Sequence, residues 1–303
     1  MLTNTVPAEA DAIKRPYEGR RPPSVWALAL RRFLRHRAGV IAATGFALIV
    51  LIVALGPGIL VSRDAAFRPN PVMVNNAPSA EHWLGTDEVG RDILARLIYG
   101  GRISLTVGVM AMIVALTAGT FLGALAGYFG GWVDSVIMRF TDVMLSIPGI
   151  FLIIALSVFF GPSVSTIVLS IGLLNWMSVA RIVRSMFLSL KEQEFVTAAR
   201  CVGAKSGRIM WMHILPNTIS ALAVAATLSI GSAILTETAV SYLGLGIQPP
   251  MPSWGNMLKN AQDVIWSAPW VATFPGMMIF ITTLCINYMG DAMRDALDPR
   301  MKL

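Results

Sequence analysis

The sequence predicts an all-α, polytopic membrane protein with six transmembrane helices, and its composition is the first evidence for this class. Hydrophobic residues make up 55% of the 303 residues, whereas only 14% are charged, about half the fraction that soluble domains usually carry. The mean hydropathy is +0.66. A soluble enzyme, an extended nucleic-acid binder or a disordered regulator could not keep this much apolar surface in water, so these classes are excluded.

Six apolar stretches supply the second observation, because each is long enough to cross a bilayer as a helix of about 20 residues. They cover residues 39–61, 103–127, 140–160, 164–183, 218–242 and 268–289. The polar, proline-containing residues 1–24 are predicted to be poorly ordered and contain no cleavable signal peptide, so the first span is predicted to be an uncleaved signal anchor. Pro148 and Pro275 predict kinks in the third and sixth spans.

The distribution of basic residues predicts which ends of the spans face the cytoplasm. Of the 24 Lys and Arg residues, 18 lie in the two terminal segments, in the connection from span two to three and in the segment from span four to five. The other six lie in the opposite segments. The positive-inside rule therefore places both termini and residues 184–217 in the cytoplasm. The predicted organisation is a cytoplasmic tail (1–38), a first helix with its external segment (39–102), a five-helix core (103–289) and a cytoplasmic tail (290–303).

Two rows of small residues follow helical spacing in the spans. Span two carries Ala111, Ala115, Gly119, Gly123 and Gly127, a stripe that allows close helix approach either within this chain or against a partner subunit. In span five, the row Ala221, Ala225, Ser229 and Ala233 continues into Glu237 and Ser241. Glu237 has no basic partner at its depth, so it is predicted to face a hydrated cavity or a subunit contact rather than to carry protons. Ser229, Glu237 and Ser241 are therefore candidates for a translocation path.

The motifs of catalysis and nucleotide binding are absent from the sequence. It has no G-x-x-x-x-G-K-[ST] phosphate loop and no H-E-x-x-H pair, and its three histidines are scattered along the chain. Its two cysteines, Cys201 and Cys285, are too few for a disulfide scaffold or a cysteine-based metal site. No catalytic residue, metal site or cofactor is predicted in this chain, so any energy for active transport must come from elsewhere.

The predicted cytoplasmic loop between spans four and five contains a short amphipathic helix. Phe195, Ala198, Ala199 and Val202 fall at positions i, i+3, i+4 and i+7 and form an apolar face. Gly203 follows at a point where a helix can stop or turn. A second helical piece, residues 208–215, is predicted to end at Pro216. This arrangement fits a helix that lies on the membrane or one that is presented to a soluble partner.

This loop resembles the "EAA" loop of the permeases of ATP-binding-cassette (ABC) importers, whose pattern is E-A-A, three residues, G, nine residues and I-x-L-P. The matching residues are Thr197, Ala198, Ala199, Gly203, His213, Leu215 and Pro216. Thr197 departs from the Glu of the family pattern and His213 departs from its Ile.

Three further stretches resemble the oligopeptide and dipeptide "C" permeases. They are residues 82–105, before span two, residues 241–255, after span five, and residues 290–300, in the tail. Taken singly, their glycines, prolines and charges are better explained by turns, a stiff loop and a capped helix. Their order and their fit to six spans are what indicate the family.

The resemblance implies a type I ABC importer permease of the bacterial inner membrane, with its coupling-helix loop at residues 191–216. It implies transport of dipeptides or oligopeptides together with a second homologous permease, two ATPase subunits that hold ATP and Mg, and an external substrate-binding protein. Contact with the ATPases is implied for Phe195, Thr197, Ala198, Ala199, Gly203 and Pro216. Glutathione, a nickel complex or a modified sugar are alternative ligands, and an ion-coupled transporter centred on Glu237 is the alternative from another class.

Overall fold

The computed structural model describes residues 25–297, and these residues form helices joined by turns, without a strand. The N-terminal and external elements are α1 (Val25–Arg35), α2 (Arg37–Ile59) and α3 (Arg63–Phe67). The core elements are α4 (Ile93–Phe129), α5 (Gly131–Ser146), α6 (Gly149–Phe160), α7 (Val164–Leu190), α8 (Glu194–Cys201), α9 (Ser206–Arg208), α10 (Leu215–Tyr242), α11 (Trp254–Asn260) and α12 (Trp270–Leu297). Residues 1–24, for which poor order was predicted, lie outside the described residues. So do residues 298–303, the end of the predicted C-terminal tail.

The predicted membrane spans match the long helices of the described chain. Five continuous stretches are long and apolar enough to cross a bilayer, namely α2, α4, α7, α12 and the run from α9 to α10. The helices α5 and α6 are long and apolar enough only when they are taken together. If this pair is counted as one span, the described chain has six spans. The helix α4 begins ten residues before its predicted apolar stretch, whereas α7 and α12 continue seven and eight residues beyond the ends of theirs.

The third span, predicted over residues 140–160 with a kink at Pro148, is divided into two helices. Its two halves, α5 and α6, meet at an angle of 85°. At the break, Ile147 is extended with φ −92° and ψ 125°, and Pro148 has φ −58° and ψ 118°. Proline lacks an N–H donor and disfavours helical geometry in the residue before it. The predicted kink at Pro148 is thus a full break that turns the span sharply.

The helix α12 continues through Pro275, which is its sixth residue, so the predicted kink does not end this helix. The prediction based on Pro216 is wrong. Pro216 does not end the second helical piece of the cytoplasmic loop, since it lies in the first turn of α10, where its missing N–H is tolerated. A π-helical segment, Ile209–Ile214, leads into α10, and Leu215 N–H bonds to the Met210 carbonyl.

Close packing of α4 along α7 forms the centre of the molecule. The small-residue row of α4 is fully buried there. A Cβ atom added at Gly119 would lie 2.6 Å from Val179 Cβ, and one added at Gly127 would lie 2.6 Å from Phe187 Cβ. The stripe therefore serves packing within this chain, which decides between the two alternatives that the sequence left open.

Two ion pairs connect α5 to α7. Arg181 Nη2 lies 2.6 Å from Asp142 Oδ1, and Arg184 forms a short hydrogen bond with Asp134. The ring of Phe140 stacks on that of Trp176 with their centroids 6.3 Å apart. These contacts hold the first half of the broken span against the helix that leads into the cytoplasmic loop.

Candidate coupling loop and translocation groove

The cytoplasmic loop is compact and is attached to the spans by one buried side chain. The helix α8 follows α7 after a three-residue turn, and its Val196 is fully buried in a cluster that includes Phe187, Ile209 and Ile214. Gly203 has φ +85° and terminates α8 with a turn, in which its N–H bonds to the Arg200 carbonyl at 2.9 Å. The loop is therefore a fixed extension of α7 and α10.

The predicted apolar face of α8 points away from the rest of the chain. Phe195 is 39% exposed and Val202 is 90% exposed. Together with Ala198, Ala199 and Gly203, they line an open cavity of about 450 Å³. Four of the six residues predicted for ATPase contact thus share one surface: Phe195, Ala198, Ala199 and Gly203.

The remaining residues of that prediction lie elsewhere. Thr197 is exposed on α8 but does not line the cavity, and Pro216 is exposed in the first turn of α10. The sequence reasoning did not assign Ala204, Arg208 and His213 to this surface, although the structure places all three in its lining. Their proximity depends on the turn at Gly203, which brings the residues after the glycine back towards α8.

A larger groove of about 680 Å³ opens at the bend between α5 and α6. Helices α7, α10 and α12 form its other walls. Its polar lining consists of amides and hydroxyls: Asn175, Ser232, Thr236, Thr283 and Asn287. The rest of the lining is glycine, alanine, proline and larger apolar residues, with no ionisable side chain among the described residues that form it.

The side-chain amides of Asn175 and Asn287 are the chemically informative groups of the groove. Neither amide has a hydrogen-bond partner within the described chain, although both lie on membrane-spanning helices. Asn175 is half-buried and Asn287 is exposed, so both amides are accessible from the groove and can exchange hydrogen bonds with a polar solute. Neither amide was predicted from the sequence, because uncharged side chains in the spans do not stand out as charged ones do.

The three residues predicted for the translocation path do not line this groove. Ser229 is half-buried on α10, whereas Glu237 and Ser241 are enclosed by the packing of this chain. The prediction that Glu237 faces a hydrated cavity or a subunit contact is therefore wrong for this structure. Helix periodicity places Glu237 on the same row as the small residues, and that row packs inward against α4.

Glu237 accepts hydrogen bonds from two serines on different elements. Ser104 Oγ of α4 donates to Oε2 at 3.2 Å, and Ser241 Oγ donates to Oε1 at 2.7 Å. Each hydroxyl also accepts a hydrogen bond from a backbone N–H. Trp254 N–H donates to Ser104 Oγ at 3.2 Å, and Ile247 N–H donates to Ser241 Oγ at 3.0 Å. The network joins α4, α10 and the start of α11, so the carboxyl group has a structural role.

We expect Glu237→Leu to destabilise the protein, because two buried serine hydroxyls would lose their acceptor at about 1–3 kcal/mol each. Glu237→Gln keeps one acceptor oxygen and the side-chain shape, so it should retain the fold and most of the transport. Thermal unfolding of the purified protein measures the difference. Equal stability of the Leu and Gln variants would contradict the structural role, and loss of a proton flux in the Gln variant would indicate ion coupling.

The fold and these two surfaces define a class of protein, a multi-pass membrane transport subunit with a polar groove and a compact loop on one side. Residues 119–303 match the family model described as "Binding-protein-dependent transport system inner membrane component". Residues 24–78 match "N-terminal TM domain of oligopeptide transport permease C". The first match covers more than half of the chain, so the chain belongs to the family of binding-protein-dependent transport system inner membrane components.

Several relatives are similar over nearly the whole chain. The dipeptide transport system permease protein DppC of Alkalihalophilus pseudofirmus is 43% identical over 92% of this chain and 91% of its own length. The glutathione transport system permease protein GsiD of Pectobacterium atrosepticum is 42% identical over 91% of this chain and 92% of its own. Among solved structures, an inward-facing conformation of the MetNI methionine ABC transporter superposes with a TM-score of 0.54 and 19% sequence identity. The superposition covers 67% of this chain and 96% of the matched chain of that structure.

These findings confirm the family that the loop motif and the three other stretches indicated. The chain is a permease subunit of an ABC importer and a multi-pass inner-membrane protein. It is not itself an enzyme. Membership of this family argues against the alternative of an ion-coupled secondary transporter. The burial of Glu237 within the chain argues against that alternative as well.

Proposed function

We propose that this permease imports dipeptides or short oligopeptides, and that the groove at the α5–α6 bend is its part of the translocation path. The observation that carries the proposal is the pair of unpartnered amides, Asn175 and Asn287, in a lining without ionisable groups. An amide offers one donor and one acceptor side, as a peptide bond does. A lining without charge accommodates peptides irrespective of their side-chain charge.

The relatives support amide-containing substrates in general. The relative from Alkalihalophilus pseudofirmus is named for dipeptides and the one from Pectobacterium atrosepticum for glutathione, which is itself a peptide with two amide bonds. Glutathione is therefore the second candidate. Competition of unlabelled glutathione or an unlabelled dipeptide against labelled dipeptide uptake distinguishes the two candidates.

The contribution of the groove is tested by Asn175→Leu. Loss of one hydrogen bond to the moving peptide costs about 1–1.5 kcal/mol, so the maximal uptake rate should fall about tenfold. Leu173→Met, on the exposed side of the same helix, is the matched control and should transport normally. Uptake of a labelled dipeptide by cells that contain the whole transporter is the measurement. An unchanged rate in the Asn175 variant would remove the groove from the path.

We further propose that the chain works with a second homologous permease, two ATPase subunits that hold ATP and Mg, and an external binding protein. The exposed cavity on α8 supports a soluble partner, because its lining combines apolar side chains with Arg208 in a position accessible from the aqueous side. The bilayer covers the many exposed apolar residues of the spans. No nucleic acid is expected among the partners.

Both termini and α8 are proposed to lie in the cytoplasm, and residues 62–102 outside, on the basis of the basic-residue distribution. Single cysteines at Ser79 and Ser206, both exposed, test this in a variant with Cys201 and Cys285 replaced by serine. An impermeant thiol reagent should label the cysteine at position 79 in intact cells and the one at 206 only after lysis. Equal labelling of the two in intact cells would overturn the proposed topology.

A further inference from the structure

The amphipathic helix α1 has a surface that packing within the chain leaves uncovered. Only His36 separates α1 from the spanning helix α2. Because α2 is long and apolar enough to cross the bilayer, this short connection places α1 at the membrane surface, on the cytoplasmic side in the proposed topology. The sequence analysis had assigned this stretch to an N-terminal tail and had used its arginines only as topology signals.

One side of α1 is fixed to the protein. Ala29 is buried where α1 packs on the end of α12. At the corner between α1 and α2, a Cβ on Gly39 would overlap with Ala292, and His36 Nδ1 accepts the Gly39 N–H at 3.0 Å. His36 Nε2 also lies 3.7 Å from Asp295 Oδ2. The orientation of α1 around its own axis is thus determined by the fold.

The other side of α1 presents two parallel rows to the outside. Leu30 and Leu34 form one row and are 59% and 61% exposed. Arg31 and Arg35 form the second row and are exposed as well. Each pair is spaced by four residues, and the rows are offset by one residue, about 100° around the helix. Neighbouring apolar and basic rows are the pattern of a helix that lies in the membrane interface.

We propose that α1 is an interfacial helix that binds anionic phospholipids of the cytoplasmic leaflet, with Arg31 and Arg35 on the phosphates and Leu30 and Leu34 among the acyl chains. That leaflet carries a negative surface potential, so the charges are complementary. Guanidinium groups bind phosphate oxygens through two parallel hydrogen bonds. On the neighbouring spanning helix α2, Ile41 is also 73% exposed.

The test uses the complete transporter in nanodiscs that contain phosphatidylcholine and phosphatidylglycerol in equal amounts. Photoactivatable analogues of each lipid are added in separate samples, and the labelled peptides are identified by mass spectrometry. We expect the phosphatidylglycerol probe to label residues 25–37 in clear preference to the phosphatidylcholine probe. In Arg31→Gln/Arg35→Gln, this preference should fall on the order of 30-fold, equivalent to about 1 kcal/mol per arginine.

Matched variants separate charge from insertion depth. Arg31→Lys/Arg35→Lys keeps both charges and should keep most of the preference, which shows that the helix remains folded. Leu30→Ser/Leu34→Ser should lower labelling by both probes alike, because the helix leaves the acyl region. Equal labelling of the native protein by the two probes would overturn the proposal. So would an unchanged preference in the Gln pair, or α1 cross-linked to an ATPase subunit and unlabelled by lipid.

Discussion

Gly203→Val is expected to abolish coupled uptake while the membrane-spanning helices stay folded. Gly203 has φ +85°, and no atom lies within 4 Å of the position that a Cβ would occupy. The penalty therefore comes from the backbone, because a β-branched residue is strongly disfavoured at this φ. To relieve the strain, the chain must rotate α8 relative to the segment that begins at Ser206, which would displace the exposed cavity.

The control at the same position is Gly203→Asn, since asparagine tolerates a left-handed backbone better than other residues with a side chain. Peptide uptake and co-purification of the ATPase subunits are measured for both variants. Uptake should be lost in the Val variant and largely retained in the Asn variant. If the Val variant transports normally with its ATPases bound and regulated, the loop does not couple the two parts of the transporter.

Ala199 provides an independent test of the same surface. It lines the cavity and is half-buried, so Ala199→Asp would place an unpaired carboxylate in the proposed contact with the ATPase, at a cost on the order of a few kcal/mol. Ala199→Ser adds a polar atom of similar size without charge and is the matched control. The two variants should differ in ATPase retention during purification, although both insert into the membrane.

The sequence predicted those features that depend on local patterns. The lengths of the apolar stretches predicted the positions of the membrane-spanning helices, because few structures other than helices can cross a bilayer. The i, i+3, i+4 and i+7 spacing that begins at Phe195 predicted a real helix, α8, with its apolar face outward. Here, local periodicity was sufficient because most of α8 is exposed and Val196 is its one buried residue.

The features that the sequence did not predict depend on contacts between distant residues. Glu237 is buried because Ser104, 133 residues earlier, meets it across α4 and α10. No spacing rule along one helix carries that information. Pro148 signalled a disturbance, but the size of the bend depends on how α6 packs against α7 and α10. The groove, with Asn175 of α7 and Asn287 of α12 in its lining, opens at that bend.

Gly123→Ala is expected to have a large effect on folding. A Cβ at Gly123 would lie 2.5 Å from the Ala180 carbonyl oxygen, 2.9 Å from Val183 Cβ and 3.0 Å from Ala180 Cα. Two of these three atoms belong to the backbone of α7, so no side-chain rotation can relieve the clash. The helices α4 and α7 would have to separate, and overpacking of this kind costs about 1–3 kcal/mol or more.

The matched control is Gly276→Ala in α12, where an added Cβ meets only Leu258 Cδ2 at 3.9 Å. Both substitutions raise helix propensity by about 1 kcal/mol relative to glycine, so this contribution cancels in the comparison. Thermal unfolding in detergent and the monodisperse fraction after purification should show a large loss for the Gly123 variant and little change for the Gly276 variant. Similar behaviour of the two variants would mean that α4 and α7 do not require their close approach, and that the small-residue stripe of α4 has another role. The helix α7 leads into α8 and also lines the groove. Separation of α4 from α7 should therefore disturb both the α8 cavity and the groove. Uptake should then fall even in the fraction of the variant that remains folded.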